Sequence, residues 1–473
     1  MVSKLSVSTQ SAVADFSTSS LLSDLVLQAD VEPGAKLVLA YSGGVDSEVL
    51  AQGLAQFAKE HTQFRYLLLH VHHGLSDSAD QWVEHCTIQA SKYQLPLCIK
   101  HVKVNTGPRK SIEAEARHAR YAAIQSQMEA GDVLLTAHHL DDQLETVLLA
   151  LKRGLGPKGL SAMGGIQLFE QDKQLLRPLL SISREQIESK ASRLGLVHIT
   201  DESNCDTRYD RNFLRLDIIP RLKARWSSIA ITASRSASLC AQQQAVIDAE
   251  VSKRLPDYLP LTDSEVCSLD LALLAKQDSN WQALLFRGFV EKRGFAPPSQ
   301  AQLTQALSQL LLAKADARVE LRFGDLLIRR YQGRVFLSSI AADKRKNILH
   351  KVFAVENNTL LSPASFSIEI SSTYCLRLQS KTAGERLRLP NKGEQVSVRF
   401  GVKGSIRCQP NGRSKGRELK KLWQEYMIPT WERDKVPLVF YNERLICALG
   451  YWVETGYLCV SDELGLLFSQ HKK

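Results

Sequence analysis

The sequence contains no Cys-x-x-Cys pair. Its nine cysteines, from Cys86 to Cys459, are irregularly spaced. An odd, unpatterned set gives neither a disulfide framework nor a zinc ribbon, so reduced thiols in a cytoplasm are expected. No apolar run approaches the roughly 18 residues that a membrane span requires. The first thirty residues are polar and Ser-rich, without the basic-then-apolar order of a secretory signal. A cytoplasmic protein with no membrane association is therefore expected. There is no internal repeat and no strong low-complexity tract. Acidic residues are outnumbered, 50 against 60 Lys and Arg, for a formal charge of +10. That bias suits a polyanionic partner without demonstrating one.

What is present suits burial. With 473 residues and 44% hydrophobic content, about two to four globular domains are expected. After a loose leader to about residue 19 and a short helix near Leu21–Leu27, a regular alternation begins. The segments 36–41, 66–72, 97–104 and 132–137 read as buried strands. Helical periodicity fills 47–60, 77–94, 111–130 and 141–153 between and after them. Strand and helix alternating at this spacing predict βαβ units and a mostly parallel sheet, whose ligand site lies at the carboxyl ends of the strands. Residues 152–165 (KRGLGPKGLSAMGG) read as a long loop. A further helix over 183–194 opens on Ser183 with Gln186 in capping-box spacing. From Lys223 to about Leu312 the pattern is helical, and 318–338 alternates like a hairpin. Residues 341–346 make a linker. Beyond them short strands dominate, with one helix near 420–426.

Polar motifs begin where the strands end. Ser42-Gly43-Gly44-Val45-Asp46-Ser47 follows the first strand and opens a helix. Its glycines let the backbone approach a ligand, and its N–H groups at a helix N-terminus suit an anion. Asp46 is placed to hold magnesium, and Ser42 and Ser47 to donate to phosphate. The loop has no lysine, so it is not a Gly-x-x-x-x-Gly-Lys-Ser/Thr loop. His70-Val71-His72-His73-Gly74-Leu75 ends the second strand. Arg117 and Arg120, three apart in EARHARY, share a helix face. In Thr136–Thr146 (TAHHLDDQLET), His138, Asp142 and Glu145 line one face if the helix has started by His138. The alternative reading is a capping cluster in which Asp141 caps the helix and the rest is surface. Arg208, Arg211 and Arg215 have spacings that place them on one helix face. Between Lys381 and Lys421 stand twelve Lys and Arg, opposed by Glu385, Glu394 and Glu418. Such a stretch suits phosphate contacts.

The hexapeptide 42–47 resembles the pyrophosphate loop of N-type ATP pyrophosphatases, which cleave ATP between the α and β phosphates. Together SGGVDS, HVHHGL, EARHARY, TAHHLDDQLET, LKRGLGPKGLSAM (151–163), RPLL (177–180), DESN (201–204) and RYDRNFLRLDIIP (208–220) resemble the tRNA(Ile)-lysidine synthetase family. The tail joins in through Gly384-Glu385-Arg386, KKLWQE (420–425) and IPTWER (428–433), although 392–412 is longer than the family's usual spacing. The resemblance implies an α/β protein in three parts. These are an N-terminal parallel, Rossmann-like PP-loop domain of the adenine nucleotide α-hydrolase-like type (20–222), a mostly helical middle domain (223–345) and a small, basic α+β C-terminal domain (350–473) that binds tRNA.

The family joins free L-lysine to C2 of the wobble cytidine in the CAU anticodon of tRNA(Ile). ATP first adenylates O2, and AMP and pyrophosphate are released. On this resemblance Ser42, Gly43, Gly44, Val45, Asp46, Ser47 and His70 bind ATP, and Asp46 carries Mg2+. Arg117 meets the α-phosphate or the lysine carboxylate, and His138, Asp142 and Glu145 bind lysine. Arg208, Arg211, Arg215, Arg413, Lys415, Lys420 and Lys421 meet tRNA. A homodimer is left open. The alternative of the same class is a tRNA thiolase, disfavoured by the lack of paired cysteines. A GMP-synthetase-like amidotransferase and a catalytically dead RNA-binding scaffold fit less well, since no glutaminase domain is evident and the acidic residues are retained.

Overall fold

A computed structural model of the chain describes residues 15–473, except 75, 77, 105–111, 171, 261–267, 315–316, 318, 342–351, 356–365, 370–373, 382–385, 460–463 and 473. The chain divides into two compact units, Met1–Ile247 and Asp248–Lys473.

The first unit opens with α1 (Thr18–Gln28), β1 (Lys36–Ala40), α2 (Val45–Glu60), β2 (Arg65–His72), α3 (Ala79–Tyr93) and β3 (Leu97–His101). It continues with α4 (Ile112–Gln125), β4 (Val133–Leu135), α5 (Leu140–Lys152), α6 (Pro157–Leu160), β5 (Ile166–Phe169), β6 (Lys173–Leu176) and α7 (Arg184–Arg193). The expected loop 152–165 thus contains a short helix, started by Pro157 at a position where its missing N–H costs nothing. The six strands stand in the order β3-β2-β1-β4-β6-β5. Neighbours are parallel except β5, which runs antiparallel to β6. This is the parallel sheet that the alternation predicted.

Both faces of the sheet are covered, which is why its strands read as nearly continuous apolar runs. Because side chains alternate across a strand, Leu37 and Leu39 of β1 go to one face. There they join Leu68, Leu135 and Leu176 and pack on Leu22, Leu50, Leu54 and Ile187 from α1, α2 and α7. Val38, Leu69, Leu134 and Leu175 go to the other face, against Ile124 and Met128. The chain steps outward from β1 to β2 to β3, then returns across β1 to β4. The strand order therefore reverses between β1 and β4. The carboxyl ends of these two neighbours form the crevice where open α/β sheets bind ligands.

After α7 come a 3-10 turn (Glu202–Cys205), α8 (Asp210–Phe213), a π-helical turn (Leu214–Ile218) and α9 (Ile219–Arg225). The long α10 (Ile229–Arg254) runs across the division between the units.

In the second unit, α11 (Leu271–Ala275), α12 (Ser279–Lys292) and α13 (Gln300–Leu312) pack on an antiparallel sheet. Its strands are β7 (Ser268–Asp270), β8 (Glu320–Phe323), β9 (Leu326–Tyr331) and β10 (Arg334–Ser339), in the order β7-β10-β9-β8. The expected hairpin over 318–338 is thus a three-stranded meander. Two turn glycines at positive φ, Gly324 (60°) and Gly333 (72°), break the alternation twice. Within the expected linker 341–346, only Ala341 lies inside the described residues. The tail builds small antiparallel sheets. Helix α14 (Leu419–Glu425) buries Leu419, Leu422 and Trp423 against Leu438, Phe440 and Trp452. Among the described residues, no helix is long and apolar enough to cross a membrane.

Leu39 is fully buried in the central strand. Leu39→Ala removes its packing and leaves a cavity, for an expected loss of about 2–5 kcal/mol. Urea denaturation of the two proteins, followed by circular dichroism, measures it.

Candidate active site

The two most distinctive sequence motifs end adjacent strands. Residues 42–47 leave β1, and residues 136–146 leave β4. Gly43 has φ +80°, a conformation that a side chain opposes. A Cβ there would stand 2.4 Å from Ile199 Cδ1, 3.1 Å from Cys86 Sγ and 3.3 Å from His85 Cδ2. The Ile199 N–H donates to the Gly43 carbonyl at 2.8 Å. The loop is therefore clamped on one side by the chain following α7 and on the other by α3. Gly44 is the N-cap of α2. Ser47 Oγ donates to the Gly44 carbonyl (2.9 Å) and lies 3.1 Å from Ser42 Oγ. Asp46 sits in the first turn, beside the positive end of the helix dipole.

The second motif departs from expectation. Helix α5 begins at Leu140, not by His138. His138 therefore precedes the helix and does not share the face of Asp142 and Glu145; Thr136 Oγ1 holds its Nδ1 at 2.9 Å. The cap is His139 rather than Asp141. His139 Nδ1 accepts from the Asp142 N–H (3.4 Å), and Asp142 Oδ2 accepts from the His139 N–H (3.0 Å). An imidazole nitrogen closes this capping box because Asp141 lies inside the helix, two residues past the cap, where its side chain is engaged elsewhere. Asp141 Oδ2 accepts from the Arg184 N–H at 2.8 Å, and its Oδ1 is bound by Lys223.

Around the crevice each carboxylate meets a cation. Arg184 donates to Asp46 Oδ2 at 2.6 Å. Arg215 donates through Nε to Glu145 Oε1 (2.7 Å), and through Nη2 to Glu145 Oε2 (3.1 Å) and Asp142 Oδ1 (3.1 Å). His139 Nε2 stands 3.7 Å from Asp46 Oδ1, and that oxygen, though buried, has no hydrogen-bond partner. Burial pushes the Asp46 carboxyl up, against the opposing pull of His139 and Arg184. Burial likewise raises Glu145, which is fully buried, against the pull of Arg215. His138 is driven down to about 4, first by burial, with Arg177, Arg211 and Arg117 adding to the shift against Asp142. It is neutral at physiological pH.

An orphaned carboxylate oxygen whose charge is disfavoured by burial fits a hard divalent cation at Asp46. Among the described residues, no group of three or more His, Cys, Asp or Glu forms a complete metal cage. A cation there would have to take its remaining ligands from substrate oxygens or water, as magnesium does in nucleotide sites.

Other expected residues fall in different places. His70 lies beneath the loop, 5% exposed, with Nδ1 3.0 Å from the Tyr41 carbonyl oxygen. Arg117 is exposed and lies over the Tyr121 ring, 5.2 Å from its centroid. Arg208, Arg211 and Arg215 do not share one helix face. Arg208 precedes α8 and pairs with Asp206. Arg211 lies in α8 and Arg215 in the π turn that follows it, and both act on the Glu145 carboxylate. Arg215 is spent on the carboxylates. In the tail, Arg413 pairs with Glu425 (2.8 Å) and Lys420 with Glu418 (3.0 Å), while Lys415 and Lys421 are exposed.

Sequence reasoning missed Arg184, Lys223 and Ile199. Arg184 left a signal. It is a cation in the first turn of a helix, where the dipole disfavours it, so a nearby anion was implied. Lys223 and Ile199 left none, since only the tertiary fold brings them to the motifs.

Comparison with known proteins assigns residues 17–222 to the PP-loop domain family, 269–336 to the TilS substrate binding domain and 396–468 to the TilS substrate C-terminal domain. A protein of Shewanella woodyi named tRNA(Ile)-lysidine synthase is 61% identical over 455 residues, which are 96% of this chain and 97% of that one. The protein of the same name from Shewanella oneidensis is 52% identical, over 94% of this chain and 96% of that one. The one from Vibrio vulnificus is 38% identical, over 93% and 97%.

Two measurements test the site. Gly43→Ala places a methyl group against Ile199 at a positive φ, so ATP turnover is expected to fall at least about 100-fold; steady-state assays beside a melting curve separate this from unfolding. His138 titrates near 4 in the fold, against about 6.5 when unfolded. Between those values the unfolded chain binds the extra proton, so this group costs stability as pH falls from about 6.5 to about 4. His138→Asn removes that cost. Urea midpoints at pH 7 and pH 5 are expected to show a smaller acid loss in the variant than in the wild type.

Proposed function

The chain belongs to the tRNA(Ile)-lysidine synthase family, and from that premise we propose how its crevice makes lysidine from ATP, free L-lysine and the wobble cytidine of tRNA(Ile). The observation that carries the reading is the meeting of the glycine loop after β1 with the carboxylate cluster after β4 at the sheet's switch point.

The loop's backbone N–H groups, with Ser42 and Ser47, receive the β and γ phosphates. Cytidine O2 attacks the α-phosphorus, the bond from that phosphorus to the bridging oxygen breaks, and pyrophosphate leaves. Magnesium, when bound, supplies positive charge against the phosphate oxygens. Asp46 would hold it through the oxygen that lacks a partner. Arg184, at Asp46, adds a second cation at the same end of the site. Arg117, on the rim, meets the α-phosphate or the lysine carboxylate.

Asp142 and Glu145 present negative charge for the lysine ammonium, and Arg215 beside them favours the neutral amine by like-charge repulsion. One of these two carboxylates takes the proton from the ammonium. The freed amine bonds to C2, the C2–O2 bond breaks, and AMP departs with that oxygen. His138 stays neutral and shapes the pocket.

The tRNA body is held by a separate part of the chain. Lys415 and Lys421, both exposed, and Arg413 and Lys420, whose carboxylate partners lie at the surface, are suited to phosphates. Arg208 and Arg211, within the catalytic part itself, are also suited to phosphates. Residues 20–222, 223–345 and 350–473 act as catalytic, middle and tRNA-holding parts, in a cytoplasmic enzyme. Thiolation is the weaker reading. Cys86 is fully buried and its thiol is pushed up to about 12 by burial, so it is no thiolate nucleophile.

Asp46→Ala and Asp142→Ala are each expected to abolish lysine incorporation into a CAU-anticodon tRNA(Ile) transcript while tRNA affinity stays within about threefold. Labelled-lysine transfer and filter binding measure the two quantities. Near-normal transfer by either variant removes that residue from the mechanism, and pyrophosphate release without lysine transfer by the wild type turns the reading toward another nucleophile.

A further inference from the structure

Glu48 is a charged side chain with no solvent exposure, one residue beyond the phosphate loop. Three donors converge on it. The Tyr41 hydroxyl and His85 Nε2 (2.9 Å) share its Oε1, and the Tyr93 hydroxyl (2.9 Å) takes its Oε2. These donors come from different elements. Tyr41 is the last residue before the loop, whereas His85 and Tyr93 belong to α3. Glu48 itself lies in α2. Both ends of Tyr41 are held, its carbonyl by His70 Nδ1 and its hydroxyl by Glu48. The His85 ring that Glu48 fixes forms, with Cys86, the wall against which Gly43 packs. Burial, with the Glu48 charge adding to it, pushes both phenols up, so each remains a donor.

A buried carboxylate costs free energy unless its lone pairs are filled. Here they are met by Tyr41 and His85, which border the loop, and by Tyr93 from the end of α3. A simple core position would take an apolar residue at less cost.

We propose that Glu48 is a positioning residue for ATP binding: it ties the strand end at Tyr41 to α3 through His85 and Tyr93, and so fixes the floor on which Gly43 and the phosphate-binding N–H groups rest. It touches no reacting atom. It acts through Gly43, whose misplacement by a few tenths of an ångström weakens several N–H contacts at once.

The inference rests on the reading of residues 42–47 as the ATP loop but not on the identity of the nucleophile. The test therefore uses ATP binding by calorimetry without tRNA, beside kcat and KM for ATP in lysine transfer. Glu48→Ala is expected to raise both the ATP dissociation constant and KM at least tenfold, with a smaller change in kcat. Glu48→Gln keeps a neutral acceptor at Oε1 and offers an amide donor to the Tyr93 hydroxyl, and is expected to restore both constants to within about threefold. Tyr93→Phe, which removes one hydrogen bond and leaves Oε1 occupied, is expected to raise KM for ATP about threefold to tenfold and keeps the test open if Glu48→Ala does not fold. Normal ATP affinity in a folded Glu48→Ala protein overturns the proposal. So does a Gln variant as impaired as the Ala variant, or an unchanged KM in Tyr93→Phe. Failure of lysine transfer in the wild type, with ATP binding still lost in Glu48→Ala, overturns the proposed function alone.

Discussion

The parallel pairing of β1 with β4 is the constraint on which the rest of the first unit depends. Leu37, Val38 and Leu39 stand opposite Val133, Leu134 and Leu135. In a parallel pair both strands end at the same edge, so the glycine loop and the carboxylate motif emerge side by side although some ninety residues separate them. A slip of one residue would send each apolar side chain to the opposite face. The two cores, one on α1, α2 and α7 and the other on α4, forbid it. Packing of ordinary leucines and valines thus sets the distance between the glycine loop and the carboxylate cluster.

The second organising element is electrostatic. Each acid of the crevice is met by a cation from a later segment: Arg184 from α7, Arg215 from the π turn and Lys223 from α9. Desolvated carboxylates are unfavourable alone and acceptable when paired. The same ion pairs therefore satisfy the site and tie the segment 210–225 to the sheet. Arg215, the cation that meets Asp142 and Glu145, comes from the π turn after α8. Glu48 follows the same logic with neutral donors and histidine in place of guanidinium groups, one layer beneath the loop.

The second unit holds basic side chains both inside and outside. Arg329 and Arg386 are buried, whereas Lys415 and Lys421 are exposed on a tail whose core is apolar and aromatic, with Trp423, Trp452 and Phe440. Several arginines there are buttressed by acids, as Arg399 is by Glu443 and Arg388 by Glu394. These pairs order the long side chains.

The sequence by itself determined the alternation of strand and helix, the parallel sheet, and the two motifs that face each other across the switch point. It could do so because apolar periodicity, turn glycines and polar residues at strand ends are local signals. The capping box at Ser183 and Gln186 was legible for the same reason. Only the tertiary structure decided who partners whom. It gave Arg215 to the carboxylates rather than to a surface face, made His139 rather than Asp141 the cap, set His138 ahead of the helix, and brought Ile199 against Gly43. Those outcomes depend on which donors from distant segments reach each buried group, and that meeting is a property of the assembled fold that no spacing along the chain encodes.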